Sequence, residues 1–481
     1  MRGRRSGWRL TAALVAVLVA APLPAQPATN PLSARVEATL KSAGVGTRFG
    51  LVVATEDGRE IVALDPDGRY VPASVTKMFT AAAAFATLPG LDAPDAEGGA
   101  LVRLEPHAGG APDVVLEGRG DARLSSALDC RSDCLATLAD AVAAATRRVG
   151  AVIGDDRWFA DERWSQGMSW NNIATRSGAA VSALSLDENV VAVSIAPAAA
   201  GTPPTVAAPA YFTIENATST VATGPASLRV ERLPGSRTVR LSGTVLAGSA
   251  PQILRLGLDD PADYAAWRFK AMLEARGVGV AGPATARHRP ADLPPPAAQA
   301  MPPLARLTPA PLADDIRATD KLSLNLHAEL LLRRVGRRAG RGAVDEGLGA
   351  VTALMAAAGA KPAQYAFSDG SGMSSYNRLS PRGAVAFLRW AAAQPWGRMW
   401  QDSLPVAGVD GTLASRFRKT PLEGRLRAKT GTLNAATALA GYMTAASGRT
   451  LIFAAFGGDM PDGVDANAAI DAALTAIAAA N

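Results

Sequence analysis

The chain has 481 residues, 48% hydrophobic and only 5% aromatic, a length that exceeds one compact core and calls for two or more domains. Its formal net charge is +6, but four of those charges sit on Arg2, Arg4, Arg5 and Arg9, so a chain that loses its first segment keeps only +2. That balance disfavours nucleic acid and anionic membrane as electrostatically recruited partners.

The four arginines precede an apolar run, Leu10 to Ala21, and then Pro22, Leu23, Pro24 and small residues. The pattern is that of a secretory signal over 1–28, with cleavage expected between Ala21 and Ala28 and a run too short for a comfortable membrane span. An uncleaved anchor is the alternative, and any membrane association is expected to be peripheral.

From Asn30 to Pro89 the pattern predicts a helix, two strands (Phe49 to Ala54 and Glu60 to Leu64), a turn at Asp65-Pro66-Asp67-Gly68, and a helix from Val75 to Thr87. Ser74 and Lys77 stand three residues apart at the start of that last helix. Lys77 can there reach the Ser74 hydroxyl and take its proton, and the helix N-terminus favours developing negative charge. Taken alone, the pattern favours the bland reading, Ser74 as an N-cap and Lys77 as a solvated first-turn residue.

Cys130 and Cys134 are the only cysteines, just before an amphipathic run, Leu135 to Val149. One helical turn would hold them within bridging range, so in an exported chain a structural disulfide is expected. A zinc half-site would need partners that are absent, and a redox pair would have two intervening residues rather than three.

The middle of the chain, 91–310, is richer in strand pattern: Val190, Val191, Val193 and Ile195 form one run, and Leu228, Val230, Val239 and Leu241 alternate around Pro234-Gly235. It reads as an inserted β-rich region of two subdomains. A proline-rich connector, Arg289 to Pro311, closes it.

Ser323-Leu324-Asn325 then falls between a helical run, Asp314 to Lys321, and an apolar-periodic run at Leu326, Leu330 and Leu331. From Lys361 onward the pattern predicts helices, three strands and a last helix, Ala466 to Ala480. Lys429-Thr430-Gly431-Thr432 lies between the Leu426 region and a strand-like segment, Ala435 to Tyr442. Each triplet has a bland reading, a helix cap or a strand end. Together and in this order they match the Ser-x-x-Lys, Ser-Asp-Asn and Lys-Thr-Gly set of serine β-lactamases and penicillin-binding enzymes. Their chemistry requires them within a few ångströms, so 29–90 and 311–481 are expected to form one catalytic domain around the insertion.

Only seven lysines occur (Lys41, Lys77, Lys270, Lys321, Lys361, Lys419 and Lys429), yet lysine occupies both motif positions. A lysine amine can be tuned by burial and a neighbouring cation to act as a base, whereas arginine stays protonated. The three histidines, His107, His288 and His327, fit neither a Ser-His-Asp triad nor a zinc pattern, and His327 reads as a partly buried helix residue. No phosphate-binding glycine loop occurs, and no cofactor or metal is expected.

On these motifs the chain resembles the D-alanyl-D-alanine carboxypeptidases of the penicillin-binding-protein-4 type, the S13 serine peptidase family. The likeness also covers Gly120-Asp121, Ser182-Ala183-Leu184-Ser185, Asp187-Glu188-Asn189, Asp369-Gly370-Ser371-Gly372 and Gly408-Val409-Asp410-Gly411-Thr412-Leu413. Asn434 and the segment Phe456-Gly457-Gly458-Asp459 depart from the family pattern outside the three motifs. The resemblance implies an α/β (α+β) fold: a β-lactamase-like catalytic domain, an antiparallel sheet flanked by helices, carrying a large β-rich insertion. It implies a periplasmic hydrolase acting on peptidoglycan stem peptides or cross-links and acylated by β-lactam antibiotics.

In that frame Ser74 is the nucleophile and Lys77 the base, held neutral by the Lys429 charge. Ser323 relays the proton to the departing nitrogen and Asn325 holds the Lys77 amine. Lys429 and Thr430 meet the substrate carboxylate, and Gly431 and Thr432 line the substrate strand, with the N–H groups of Ser74 and Thr432 as the oxyanion hole. A serine β-lactamase is the alternative, but Glu188 does not stand in a Glu-x-x-Leu-Asn pattern. A non-catalytic peptidoglycan-binding scaffold is the alternative from a different class. The oligomeric state is not legible.

Overall fold

Strand 48–55 sits in the middle of the architecture because it can bury both faces: Leu51 and Val53 point one way, Val52 and Ala54 the other, and all four are buried. The computed structural model describes residues 31–297 and 302–481; the expected signal segment lies outside the described residues. Strand 48–55 pairs antiparallel with 60–64 on one side and with 450–458 on the other, placing Arg48 opposite Gly458. Strands 436–444 and 426–433 complete a five-stranded antiparallel sheet in the order 426–433, 436–444, 450–458, 48–55, 60–64. Segments from the two ends of the chain are therefore hydrogen-bonded neighbours.

One face of the sheet is covered by the helices Pro31–Lys41 and Ala466–Ala480, through Val36, Leu40, Ile470, Leu474 and Ile477. The other face is covered by Thr76–Thr87 and Pro381–Ala392. Helix Thr76–Thr87 is buried from Thr76 through Phe85, and its alanines let neighbours approach from every side. The Trp400 side chain, fully buried, donates its indole N–H to Met78 O at 2.9 Å and locks this helix to Gly397–Ser403. Helices Leu312–Leu322, Asn325–Ala339 and Val344–Ala357 extend the layer.

The middle of the chain has its own core. A five-stranded sheet runs 284–287, 152–155, 113–117, 101–105, 305–306, and its first three strands are parallel. The helices Leu135–Ala145 and Pro261–Glu274 contribute Leu138, Val142, Phe269 and Leu273 to its core. Two three-stranded sheets follow, 229–231/238–246/213–221 and 252–257/190–196/205–207. The segment between Leu228 and Leu241 is a hairpin, with Val230 opposite Leu241.

Several element boundaries differ from the sequence expectation. The run from Leu135 ends as a helix at Ala145, and Arg148–Val149 is a strand instead. Helix Pro261–Glu274, capped by Asp260 with proline in its first turn, was hidden among strand signals. Within the proline-rich connector, Ala305–Arg306 forms the edge of the insertion's sheet, the position where a missing N–H costs least. Cys130 and Cys134 are bonded, with Cα atoms 5.7 Å apart, but they close a non-helical turn containing Asp133 at φ 53° rather than one turn of a helix.

Candidate active site

Ala73, Ser74 and Val75 form a short 3-10 turn that runs straight into helix Thr76–Thr87. Ser74 is not a capping residue: Pro72 and Val75 occupy the cap positions, and neither end has a side-chain cap. The Ser74 hydroxyl accepts instead from Lys77 Nζ at 2.8 Å. Ala73 carries φ 46°, a left-handed conformation costly for alanine, and two glycines hold it there. A Cβ on Gly372 would lie 1.9 Å from Ala73 O, and one on Gly431 would lie 2.4 Å from Pro72 O. The glycine of Lys-Thr-Gly thus has a packing reason: it lets strand 426–433 press against the serine turn.

Lys77 is fully buried, and its amine donates to Ser74 Oγ, to Asn325 Oδ1 at 2.7 Å and to Ser371 O at 2.6 Å. Its pKa is lowered to about 7, chiefly by burial and secondly by the Lys429 charge, against the pull of Asp369, Glu329 and Asp320. Burial is therefore a larger cause than the neighbouring cation that the motif alone suggested.

Lys429 is also fully buried, with a pKa lowered to about 8 by burial and supported by Asp320. Its amine donates to Ser323 Oγ and to Thr430 O, both at 3.0 Å. Ser323 closes helix Leu312–Leu322 in a left-handed conformation, φ 60°, and Asn325 opens the next helix. That sharp turn aims both side chains at the lysines. Asn325 spends its amide on two partners, Lys77 through Oδ1 and Ser177 O through Nδ2 at 3.0 Å. Ser323 is thus bonded to Lys429, and Asn325 to Lys77.

The Lys429-Thr430-Gly431-Thr432 segment lies inside strand 426–433 rather than at its end. The strand is the edge of the sheet, bonded on its outer side by 405–407 only around Leu426 and Ala428. Thr430 shares a 2.7 Å hydrogen bond with Thr412, and Thr432 is exposed.

Three buried carboxylates that sequence reasoning did not place in the site surround the lysines. Asp369 accepts from Gly372 N at 2.9 Å, Ser374 N at 2.6 Å and Asn377 Nδ2 at 2.6 Å; burial and then Glu329 raise its pKa to about 6. Glu329 Oε1 accepts from Gly370 N and Ser371 N, and its other oxygen pairs with Arg333 at 2.7 Å. Asp320, raised to about 6 by burial, accepts from Ser403 Oγ at 2.7 Å. The sequence signal for the first was the Asp369-Gly370-Ser371-Gly372 segment. Glu329 and Asp320 stand in ordinary helical pattern and carried none.

Residues 166–188 supply one wall. Ser374 Oγ donates to Gln166 O at 2.6 Å, and Arg176, Ser177 and Glu188 border a cavity of about 170 Å³ with Ser323, Asn325 and His327. Glu188 is paired with Arg176 at 2.6 Å, and His327, buried, pairs with Asp315 at 2.7 Å. Cys130 and Cys134 lie apart in sequence from these segments, with Cys134 in a β-bridge to Ser125. Among the described residues, no group of three or more His, Cys, Asp or Glu side chains is placed to hold a metal.

Residues 32–479 match the model of the family described as D-Ala-D-Ala carboxypeptidase 3 (S13). The chain is 34% identical to a D-alanyl-D-alanine carboxypeptidase of Actinomadura sp. (strain R39), over 93% of this chain and 87% of that protein. Among solved structures, penicillin binding protein 4 from Haemophilus influenzae shares the fold, with a TM-score of 0.79 at 21% identity, covering 92% of this chain and 98% of that one. The same protein complexed with a β-lactam gives a TM-score of 0.75 at 20% identity and equal coverage.

Proposed function

The chain belongs to the D-Ala-D-Ala carboxypeptidase S13 family, and we propose that it hydrolyses the terminal D-Ala of peptidoglycan stem peptides through an acyl-enzyme on Ser74. The observation that carries this reading is the buried Lys77 amine held 2.8 Å from the Ser74 hydroxyl, where burial lowers its pKa to about 7. Ser74 Oγ attacks the carbonyl between the two D-alanines while Lys77 takes its proton. A tetrahedral oxyanion forms, for which the N–H groups of Ser74 and Thr432 are the donors. Collapse breaks the C–N bond, the departing D-Ala nitrogen takes a proton by way of Ser323, and an ester remains on Ser74. Water, deprotonated by Lys77, then cleaves the ester and regenerates the serine.

Lys429 and Thr430 recognise the free carboxylate of the substrate, and the open edge of strand 426–433 offers its backbone to an extended peptide. Cross-links ending in a D-Ala bond present the same acyl group, so a DD-endopeptidase activity uses the same steps. β-Lactams, which the Haemophilus influenzae relative binds, acylate Ser74 by the same attack. A substrate of this kind lies outside the cytoplasm, which supports an exported, periplasmic protein.

Fluorescent penicillin followed by peptide mapping tests the reading: label is expected on Ser74 alone, and Ser74→Ala is expected to abolish it with the thermal midpoint nearly unchanged. Label on the Ser74→Ala protein would overturn the assignment. Turnover separates the alternatives, since a peptidase releases D-Ala and keeps a long-lived penicilloyl ester. A β-lactamase turns penicillin over without releasing D-Ala, and a scaffold does neither.

A further inference from the structure

Two strongly exposed apolar side chains of the middle segment stand at one groove. Trp170 and Leu233 are each 66% exposed, and both line a groove of about 530 Å³ between the 170–174 turn and the hairpin joining 229–231 to 238–246. Exposed aromatics beside a groove of this size mark a binding site more often than chance exposure. The groove carries little charge: Arg232 and Arg240 line it with Glu215 and Glu231, and Arg240 is paired to Glu215 at 2.7 Å. Arg232 is turned inward to Asp259 at 2.6 Å, leaving its head 1% exposed. That leaves Arg240, Glu215 and Glu231, a net of one negative charge, so a polyanion would find no attraction here and a polycation only a weak one. An uncharged chain with apolar faces and many hydroxyls would find an indole platform flanked by carboxylate and hydroxyl groups.

The groove lies close along the chain to the catalytic cleft. Ala174 lines it, three residues, at most about 11 Å of chain, before Ser177. Ser177 O accepts from Asn325 Nδ2 at 3.0 Å, and Asn325 Oδ1 accepts from Lys77. A stem peptide of five residues reaches about 17 Å when extended. A peptide whose end lies at Ser74 thus brings the polymer from which it branches to the neighbourhood of Trp170.

We infer that this groove binds the glycan strand of the substrate polymer, with the Trp170 ring stacked on a face of an N-acetylated amino sugar. The inference rests on the peptidoglycan reading proposed above. On this inference the insertion retains the enzyme on polymeric substrate while the catalytic domain handles the peptide.

The test compares D-Ala release by the full protein from a free pentapeptide ending in D-Ala-D-Ala and from the same peptide carried on glycan strands. Trp170→Ala is expected to leave kcat/KM on the free peptide within about twofold of the parent and to lower it on the glycan-linked substrate on the order of tenfold, the usual effect of truncating an aromatic anchor. Leu233→Ala is expected to act in the same direction. An N-acetylglucosamine tetramer should bind the parent in calorimetry and lose that binding in Trp170→Ala. Equal effects on both substrates, or binding of the tetramer unaltered by the substitution, would overturn the inference. Should the parent release no D-Ala from the free peptide, the functional reading fails separately, and the tetramer titration still decides the groove.

Discussion

The Ser371 amide donates to Glu329 Oε1 at 2.9 Å, one peptide unit before the Ser371 carbonyl on which the Lys77 amine rests at 2.6 Å. Glu329 lies on helix Asn325–Ala339, the same helix that presents Asn325. One helix therefore supplies one acceptor of the Lys77 amine, Asn325 Oδ1, and anchors the segment that carries another, Ser371 O. Glu329 also forms a buried pair with Arg333, whose side chain is 1% exposed.

Glu329→Ala is expected to destabilise the protein by about 3–5 kcal/mol, because Arg333 loses its carboxylate in a buried setting. Glu329→Gln keeps an acceptor for the Gly370 and Ser371 amides but removes a charge that raises the Lys77 pKa. It is expected to retain acylation while moving the acid limb of the rate to lower pH. Thermal melts and pH-dependent penicillin labelling check the two. An unmoved acid limb in the Gln variant would show that Glu329 is only a structural partner of the loop.

Lys77→Arg keeps a cation beside Ser74 but cannot accept its proton, so acylation should fall by about 10²–10⁴, the range of a lost general base. Stopped-flow acylation kinetics measure it. A near-parental rate would leave Lys77 no more than a structural residue.

On the proposed mechanism acylation should be bell-shaped in pH, requiring a neutral Lys77, pKa about 7, and a cationic Lys429, pKa about 8. The rate rises as pH passes through the first value and declines past the second, and for neighbouring amines these limbs belong to the pair. Lys429→Arg should erase the alkaline limb and cost less than Lys77→Arg. The stability term has a definite sign: both amines have folded values below the ordinary lysine value, so the unfolded chain binds more protons between them. The contribution of these groups to folding thus improves as pH rises from about 7 toward 10. A rate profile with no acid limb near neutrality would contradict the proposed base.

Gly372→Ala places a Cβ 1.9 Å from Ala73 O at a residue whose φ is 85°. The substitution should displace the serine turn, lowering acylation more than about tenfold and stability by about 1–3 kcal/mol. Acylation kinetics with circular dichroism separate the local shift from unfolding. A parental rate would mean that the Ser74 position does not depend on this contact.

The order and type of the three motifs were legible in the sequence because their chemistry restricts residue identity: only serine, lysine and a small set of polar partners serve, at spacings a helix start or a strand can present. The alternation of strand 48–55 and the helix after Ser74 were legible for a similar reason, since periodicity follows directly from burial on one or both faces. Boundaries were less so. Ala73–Val75 became a 3-10 turn because Gly372 and Gly431 press on it from distant parts of the chain. The placement of Lys-Thr-Gly within an edge strand depended on pairing with 436–444, which no local pattern encodes.

What only the tertiary structure decided is the electrostatics. Ser74, Lys77 and Asn325 are named in the sequence, but the depression of the Lys77 amine comes first from full burial. Its compensation comes from Asp369, Glu329 and Asp320, brought in from three different segments. Residue type determines which groups can carry a proton. Desolvation and charge spacing determine at which pH they do so, and both are properties of packing across the whole chain.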